Sequence, residues 1–465
     1  MRKELQSLKL LHFPSKLNKI YFFLGLVIFY LVCIISPNKP VYFSAYIIST
    51  FFFYLSSKNI RLSLVYSLIL SLFSEIGVGA SWFIMEPKEF NLGAGFWVSP
   101  TTILILILLP LSLSRKIKKV KVSDFVLLLF FLWNIVSFLV YPYNNVFYGV
   151  LRLTETMIVY YLVRIYITKE NSNNLSPLLI SMLLFQIITG SLQFFQKRPL
   201  GLLAESVTVD NPLGITAIEE ESLFRLTGTF GHPNFLASFL LTVIPFVWFY
   251  PLKNKYINLI GITSLLILFF TYSRAAWIIT GMLLVPMIIS LYNQKKYVTR
   301  KIVALLLTAP FGLILFLFPF FQTRLATFPQ AFEETGSVGI RVKLLEEGLN
   351  LISQYPITGV GLNRSAEVYF TSPFTDFVKR IKPDSFYKIH NTFVEIASEV
   401  GIPGLIFFII FLYSIFRHYQ NTSRTYFQKA AVYGLMGLTG ISMLNPFFHT
   451  SQFPLFFLLS AFILV

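Results

Sequence analysis

HNTFVEIASEVGIPGLIFFIIFLYSIF, residues 390–416, decides how this chain must fold. From Leu405 to Phe416 there is no charged side chain. Together with the turns before it, the run is long enough to cross roughly 30 Å of hydrocarbon at about 1.5 Å per helical residue. Its opening is different in kind. His390, Asn391, Glu395 and Glu399 fall within ten residues at the mouth of the apolar run. Glu395 and Glu399 are four apart and share one helix face, where a structural role suits them better than a catalytic one. Gly401, Pro403 and Gly404 predict a break or bend as the helix enters the membrane. A break there frees backbone groups, which cavity water or a ligand is then expected to satisfy. A His beside a helix N-terminus feels the positive end of the dipole, which disfavours its charged form. Neutral imidazole can accept a proton, so His390 is a candidate base, with a structural hydrogen bond as the competing account.

Outward from this stretch the same pattern repeats. Apolar runs occupy roughly 20–36, 41–57, 62–84, 97–113, 125–141, 148–167, 176–195, 233–250, 256–272, 275–292, 302–320, 430–446 and 452–465. Mean hydropathy is +0.69, and only 13% of residues are charged, so no polar stretch is long enough to bury a large core of its own. The expected fold is all-α: a polytopic integral membrane helix bundle of about 12–14 transmembrane helices, forming a single membrane domain over residues 1–465.

The net charge of +17 is not a nucleic-acid signal. The Lys and Arg concentrate in alternate short loops such as RKIKKVK (115–121), NQKKYVTRK (293–301) and RHYQNTSR (417–424), which marks those loops as cytoplasmic. Two long loops, about 197–232 and 321–390, then fall on the extracytoplasmic side. The basic first 19 residues show no cleavable signal pattern, so the first apolar run is expected to persist as a helix. A lone cysteine, Cys33, allows neither an internal disulfide nor a Cys-based metal site.

The second long loop is patterned. In GIRVKLLEEGLNLISQYP (339–356), Leu345, Leu349 and Ile352 recur at helical spacing, with Leu344, Gly348 and Leu351 alongside. This predicts an amphipathic helix on the outer face of the bundle, stopped by Pro356. Arg341 shares a face with its leucines, where a stem covering apolar atoms competes with an anion-binding role. Arg274, in TYSRAAW (271–277), sits between two apolar runs with almost no loop to escape into. It must snorkel, pair or face water, and the Arg fork matches phosphate. In RLTGTFGHPNFLASF (225–239), Pro233 suits a first helical turn. Arg225 and His232 precede it; a helix cap accounts for His232 as well as a functional role does, while an interfacial position accounts for Arg225 less well.

Outward-facing Arg residues beside a His suit a lipid bearing a phosphate or diphosphate. There is no Gly-rich phosphate loop and no Asp-x-Asp motif, and the five His are too scattered to suggest a His metal site.

The order R-x-x-GTF-x-x-PN (225–234), SRAAW (273–277), R-x(n)-P-x-x-G-x-G (341–361) and HN-x-x-x-E-x-x-x-E-x-G-x-x-G (390–404) resembles the O-antigen ligase and polymerase-like superfamily of bacterial membrane glycosyltransferases. The resemblance covers about the C-terminal half; the N-terminal helices agree in number and hydropathy only. It implies a C-type glycosyltransferase-like bundle in the bacterial cytoplasmic (inner) membrane, with the active site facing the periplasm or cell exterior. It implies transfer of a glycan from an undecaprenyl-diphosphate-linked donor to a hydroxyl on a glycan, lipid or protein acceptor, without nucleotide, cofactor or metal. Carried over by position, Arg274 and Arg341 would bind the donor diphosphate, Arg225 more loosely, and His390 would orient or deprotonate the acceptor. Asn391 would cap the helix.

Two other classes compete. A polysaccharide exporter or lipid-linked oligosaccharide flippase predicts charges near the bilayer midplane and internal symmetry; the charges here lie near one interface and no repeat is visible. A structural scaffold of the cell envelope would tolerate loss of His390, which an enzyme should not.

Overall fold

The computed structural model describes residues 16–36, 38–73, 82–85, 96–115, 117, 119–202, 215–218, 221–250, 255–292, 329, 332–333, 337–369, 388–422, 425–450 and 452–465. The chain is a helix bundle. Its helices are α1 (Lys16–Ile35), α2 (Lys39–Ser57), α3 (Ile60–Phe73), α4 (Pro100–Ser112), α5 (Val122–Val140), α6 (Asn144–Tyr166), α7 (Leu175–Gln196), α8 (Pro233–Trp248), α9 (Lys255–Phe270), α10 (Arg274–Tyr292), α11 (Ser337–Gln354), the short α12 (Ser365–Tyr369), α13 (Thr392–Gln420), α14 (Tyr426–Ser442) and α15 (Phe453–Leu464). Six of the described helices are long and apolar enough to cross a membrane, and five shorter apolar ones pack among them. Two small antiparallel hairpins hang from the bundle: β1 (Trp82–Met85) with β2 (Phe96–Val98), and β3 (Ile215–Ile218) with β4 (Glu221–Phe224).

Most expected spans fall on helices. The exception is 62–84. The described helix runs Ile60–Phe73 and Trp82–Met85 is a strand; Glu75, Gly77 and Gly79, which interrupt the apolar run in the sequence, lie outside the described residues. The expected span 302–320 and much of the loop 321–390 lie outside the described residues.

Packing is aromatic at the centre. Phe408 of α13 is fully buried, with ring centroids of Phe453 and Phe456 each 5.6 Å away and that of Phe130 at 5.7 Å. Within lipid, apolar burial alone does not favour helix association, so close van der Waals fit carries the contact, with Phe456 edge-on to Phe408 and the other two rings tilted. The outer surface stays apolar: Leu106, Ile289, Ile409 and Tyr413 are exposed, as lipid-facing residues should be.

Helix α13 orders the molecule. At about 1.5 Å per residue its 29 residues span roughly 40 Å. Arg417 and His418 mark one end, and His418 stands among Lys121, Arg164 and Lys169. There Arg164 donates to Asp124 at 3.3 Å, both nearly fully buried, while Tyr160 donates to the other Asp124 oxygen at 2.6 Å. The opposite end carries His390.

Candidate active site

Three helices begin at that opposite end, and side chains tie their first turns together. Arg225 donates from Nε to the Thr271 carbonyl at 2.9 Å and from Nη2 to Asn234 Oδ1 at 3.4 Å. Asn234 Nδ2 donates to Asn445 Oδ1 at 2.8 Å, and the Asn445 carbonyl accepts from Thr392 Oγ1 at 2.8 Å. The starts of α8, α10 and α13 are thus linked through four side chains. Each helix start carries unpaired N–H groups and the positive end of a dipole. At α13, Asn391 caps: its Oδ1 accepts from the Phe393 and Val394 amides.

The turn before α8 is held from α7. Gln186 donates to Thr229 Oγ1 at 2.6 Å and accepts the Thr229 amide at 3.0 Å. Gln193, seven residues on and hence on the same face, donates to the Gly228 carbonyl and accepts the Gly228 amide, both at 2.9 Å. The GTF motif is therefore a backbone docked on two glutamines. Nothing in the apolar surroundings of Gln186 and Gln193 pointed to this, although their spacing is visible in the sequence.

Helix α11 lies against the first turns of α13, with Leu344 and Leu351 buried and Gly348 close against Ile389 and Val394. The buried stripe is therefore Leu344, Gly348 and Leu351; Leu349 is exposed. Arg341, one turn earlier, is half-buried beside Arg274 and His390. Among the described residues its guanidinium makes no hydrogen bond or ion pair.

The electrostatics follow from this crowding. Burial, and then the Arg274 charge, lower Arg341 from the ordinary arginine value. Burial and then Arg341 lower His390 to about 4, against a bond to the Lys388 carbonyl that raises it. Burial, then Arg225, His390 and Arg341, lower His232 to about 3. No carboxylate figures among these causes. His390 Nδ1 lies 2.8 Å from the Lys388 carbonyl. A carbonyl only accepts, so Nδ1 carries the proton and Nε2 is the acceptor nitrogen of a neutral ring.

A second cluster sits beside the first. Glu395, Glu399 and His449 each bring one ligand atom within 4.8 Å of one another. Glu399 accepts from the Asn363 amide at 2.6 Å, the Ser365 amide at 3.3 Å, Ser365 Oγ at 2.7 Å and His449 Nε2 at 2.5 Å. Four donors fill the roughly four acceptor positions of a carboxylate, which leaves none for a cation. Glu395 accepts from the Phe448 amide at 3.3 Å, and its Oε1 has no partner among the described residues.

The break in α13 is real, with Gly401 at φ 76°. The freed groups do not wait for water or ligand. The Ser398 and Glu399 carbonyls accept from the Val360 and Gly361 amides at 2.9 and 3.0 Å, Trp133 Nε1 donates to the Val400 carbonyl at 2.7 Å, and the Ile402 amide donates to the Pro356 carbonyl at 2.8 Å. A Cβ at Gly401 would collide with the Ile357 carbonyl, and one at Gly359 with the Glu399 backbone. The P-x-x-G-x-G turn and the G-x-x-G bend are thus two halves of one backbone crossing, which exchanges the lost helical bonds for tertiary ones.

Residues 259–409 match the family model Wzy_C, described as O-antigen ligase. Over that stretch the chain is similar to the O-antigen ligase family. The similarity supports the general class, a membrane glycosyltransferase of the O-antigen ligase and polymerase type. No curated protein matches the chain. The matched stretch contains Arg274, Arg341, His390 and both glutamates; Arg225, His232 and His449 lie outside it. The fold nevertheless joins Arg225 and His232 to that stretch's cations, and His449 to its Glu399. His449, a lone His after an Asn-Pro-Phe-Phe stretch, carries no signal in the sequence.

Proposed function

We propose that the chain transfers a glycan from an undecaprenyl-diphosphate carrier to an acceptor hydroxyl at the outer face of the cytoplasmic membrane. The observation that carries this reading is Arg341: a half-buried guanidinium without a protein anion among the described residues, beside Arg274, Arg225 and two neutral histidines. Burying uncompensated positive charge is costly unless an external anion completes it. A diphosphate with its apolar tail in the bilayer fits such a place. Arg274 and Arg341 bind the diphosphate and stabilise the charge that develops as it leaves. His390 Nε2 accepts the proton of the attacking hydroxyl. The reaction needs no metal and no nucleotide.

The outward orientation is supported by the basic end of α13, with Lys121, Arg164 and Lys169 around His418, roughly 40 Å from His390. Positive-inside bias makes that end cytoplasmic.

The test is transfer of a carrier-linked oligosaccharide by purified protein in lipid nanodiscs, with chelator present. Transfer supports the reading; movement of the carrier lipid across the bilayer without transfer would make the protein a flippase instead. Failure in chelator alone would end the metal-free mechanism. Sidedness is read separately with Glu367→Cys, an exposed position, against a native Cys33 that is buried. Labelling in intact cells is expected. Labelling only after the membrane is permeabilised would reverse the topology.

A further inference from the structure

The segment before α8 commits nearly all of its polar atoms to holding itself in place. Thr227, Gly228 and Thr229 are bound by Gln193 and Gln186, and Asn234 is bound by Arg225 and Asn445. His232 is the exception. It is the N-cap of α8, and its Nδ1 accepts the Asn234 amide at 3.1 Å. An N–H donor pointing at Nδ1 requires a lone pair there, so the neutral ring carries its proton on Nε2. The Phe235 ring, 5.4 Å away centroid to centroid, helps to hold the imidazole in that attitude. Among the described residues Nε2 has no hydrogen-bond partner. The charged and titratable groups that face the ring are Arg225, His390 and Arg341.

The two histidines of the site are therefore fixed in opposite tautomers by the backbone. His390 gives its Nδ1 proton to a carbonyl, whereas His232 spends its Nδ1 lone pair on an amide. One presents an acceptor, the other a donor.

We propose that His232 is a further substrate-contacting residue, donating a hydrogen bond from Nε2–H to an oxygen of the carrier diphosphate. This rests on the diphosphate reading given above. In the transfer step the acceptor oxygen forms a bond to the anomeric carbon, and the bond from that carbon to the phosphate oxygen breaks with its electron pair passing to the diphosphate. The acceptor proton goes to His390 Nε2. His232 keeps its own proton throughout and stabilises the oxygen that gains charge, as a neutral donor among cations.

Two variants of the full-length protein separate this from capping alone. His232→Asn keeps a cap oxygen, Asn being among the best N-caps, but removes the Nε2 donor. His232→Gln places an amide N–H near the old Nε2 position at the expense of the cap. Transfer kinetics, affinity for undecaprenyl diphosphate and thermal unfolding are measured for wild type, Asn, Gln and Ala. The expected result is an Asn variant that melts like wild type but loses about 10- to 100-fold in kcat/KM and binds undecaprenyl diphosphate more weakly. The Gln variant recovers part of both while melting lower. An Asn variant with wild-type transfer would make His232 a cap and nothing more. A Gln variant no better than Ala would equally overturn the donor role. A wild-type protein that neither transfers glycan nor binds undecaprenyl diphosphate would instead bring down the diphosphate reading, and this inference with it.

Discussion

Two polar clusters flank the first turns of α13, and they are built in opposite ways. Around Glu399 every acceptor position is filled from within the chain, by Asn363, Ser365 and His449, and both glutamates are at most 2% exposed. Around Arg341, among the described residues, stand Arg274, Arg225, His232 and His390, and the Arg341 guanidinium makes no hydrogen bond or ion pair there. Glu399, with its acceptors filled, stabilises a fold, while Glu395 Oε1 beside it has no partner among the described residues. A cluster that gathers cations around an Arg341 without a hydrogen-bond partner among the described residues is suited to something that arrives from outside. Buried polar groups in a membrane protein thus divide by whether their hydrogen bonds are already spent.

If the division is right, changes in the open cluster cost activity and spare the fold. The largest effect is expected for His390→Ala. Loss of general-base help reduces transfer about 100- to 10,000-fold, with binding of undecaprenyl diphosphate and thermal unfolding close to wild type. Transfer within a few-fold of wild type would return His390 to the role of a structural hydrogen bond. Next come Arg341→Lys and Arg274→Lys, which keep the charge but lose the planar fork. Donor affinity should weaken about 10-fold or more, roughly one charge-assisted bond. Unchanged affinity in both would mark them as residues that merely reach for the interface.

The closed cluster predicts the reverse. His449→Ala leaves the Glu399 carboxylate short of one donor in a buried site, a change in the class that costs about 3 kcal/mol. The melting temperature should drop while turnover per folded molecule changes little. A variant that melts normally but has lost turnover would move Glu399 into the chemistry.

The smallest effect is a matter of pH. His390 sits at about 4 in the folded chain, against an unperturbed value of about 6.5. Folding therefore opposes its protonation. Its contribution to stability is complete above about pH 6.5 and is lost as pH falls toward about 4, and its base form persists over the same window. The acid limb of kcat/KM should fall near pH 4 to 5; a limb at 6.5 would mean an exposed His390.

Much of this was legible in residue patterns. The span 391–416, which falls within the helix Thr392–Gln420, the bend at Gly401 and the singling out of Arg274, Arg341 and His390 follow from hydropathy, Gly and Pro placement, and charges with nowhere to go. Sequence reasoning fell short where a polar residue answers a partner far along the chain. Gln186 and Gln193 lie on an apolar helix, and their purpose is visible only once Gly228 and Thr229 are laid across them. Glu399 reads as structural from its helix face, but nothing marks His449 as its partner. The bend suggested groups waiting for water, because local pattern cannot show that Val360 and Gly361 arrive to take the free carbonyls. In span 62–84 the interruption by Glu75, Gly77 and Gly79 was itself visible in the sequence, but hydropathy alone did not show that Trp82–Met85 is a strand.

The Glu399 clamp also sets a timetable. Asn363 and Ser365 leave the ribosome before Glu399 does, but His449 follows it by 50 residues, on the far side of α14. A nascent α13 therefore meets the membrane with one carboxylate only partly matched, and the match is completed when the connection between α14 and α15 folds back over Thr392 and Glu395. That same connection carries Asn445, which ties α13 to α8. The cluster of Arg274, Arg341 and His390 is thus among the last parts of the described bundle to mature during biogenesis, and a chain stalled before α14 would lack the Asn445 tie that joins α13 to α8 beside it.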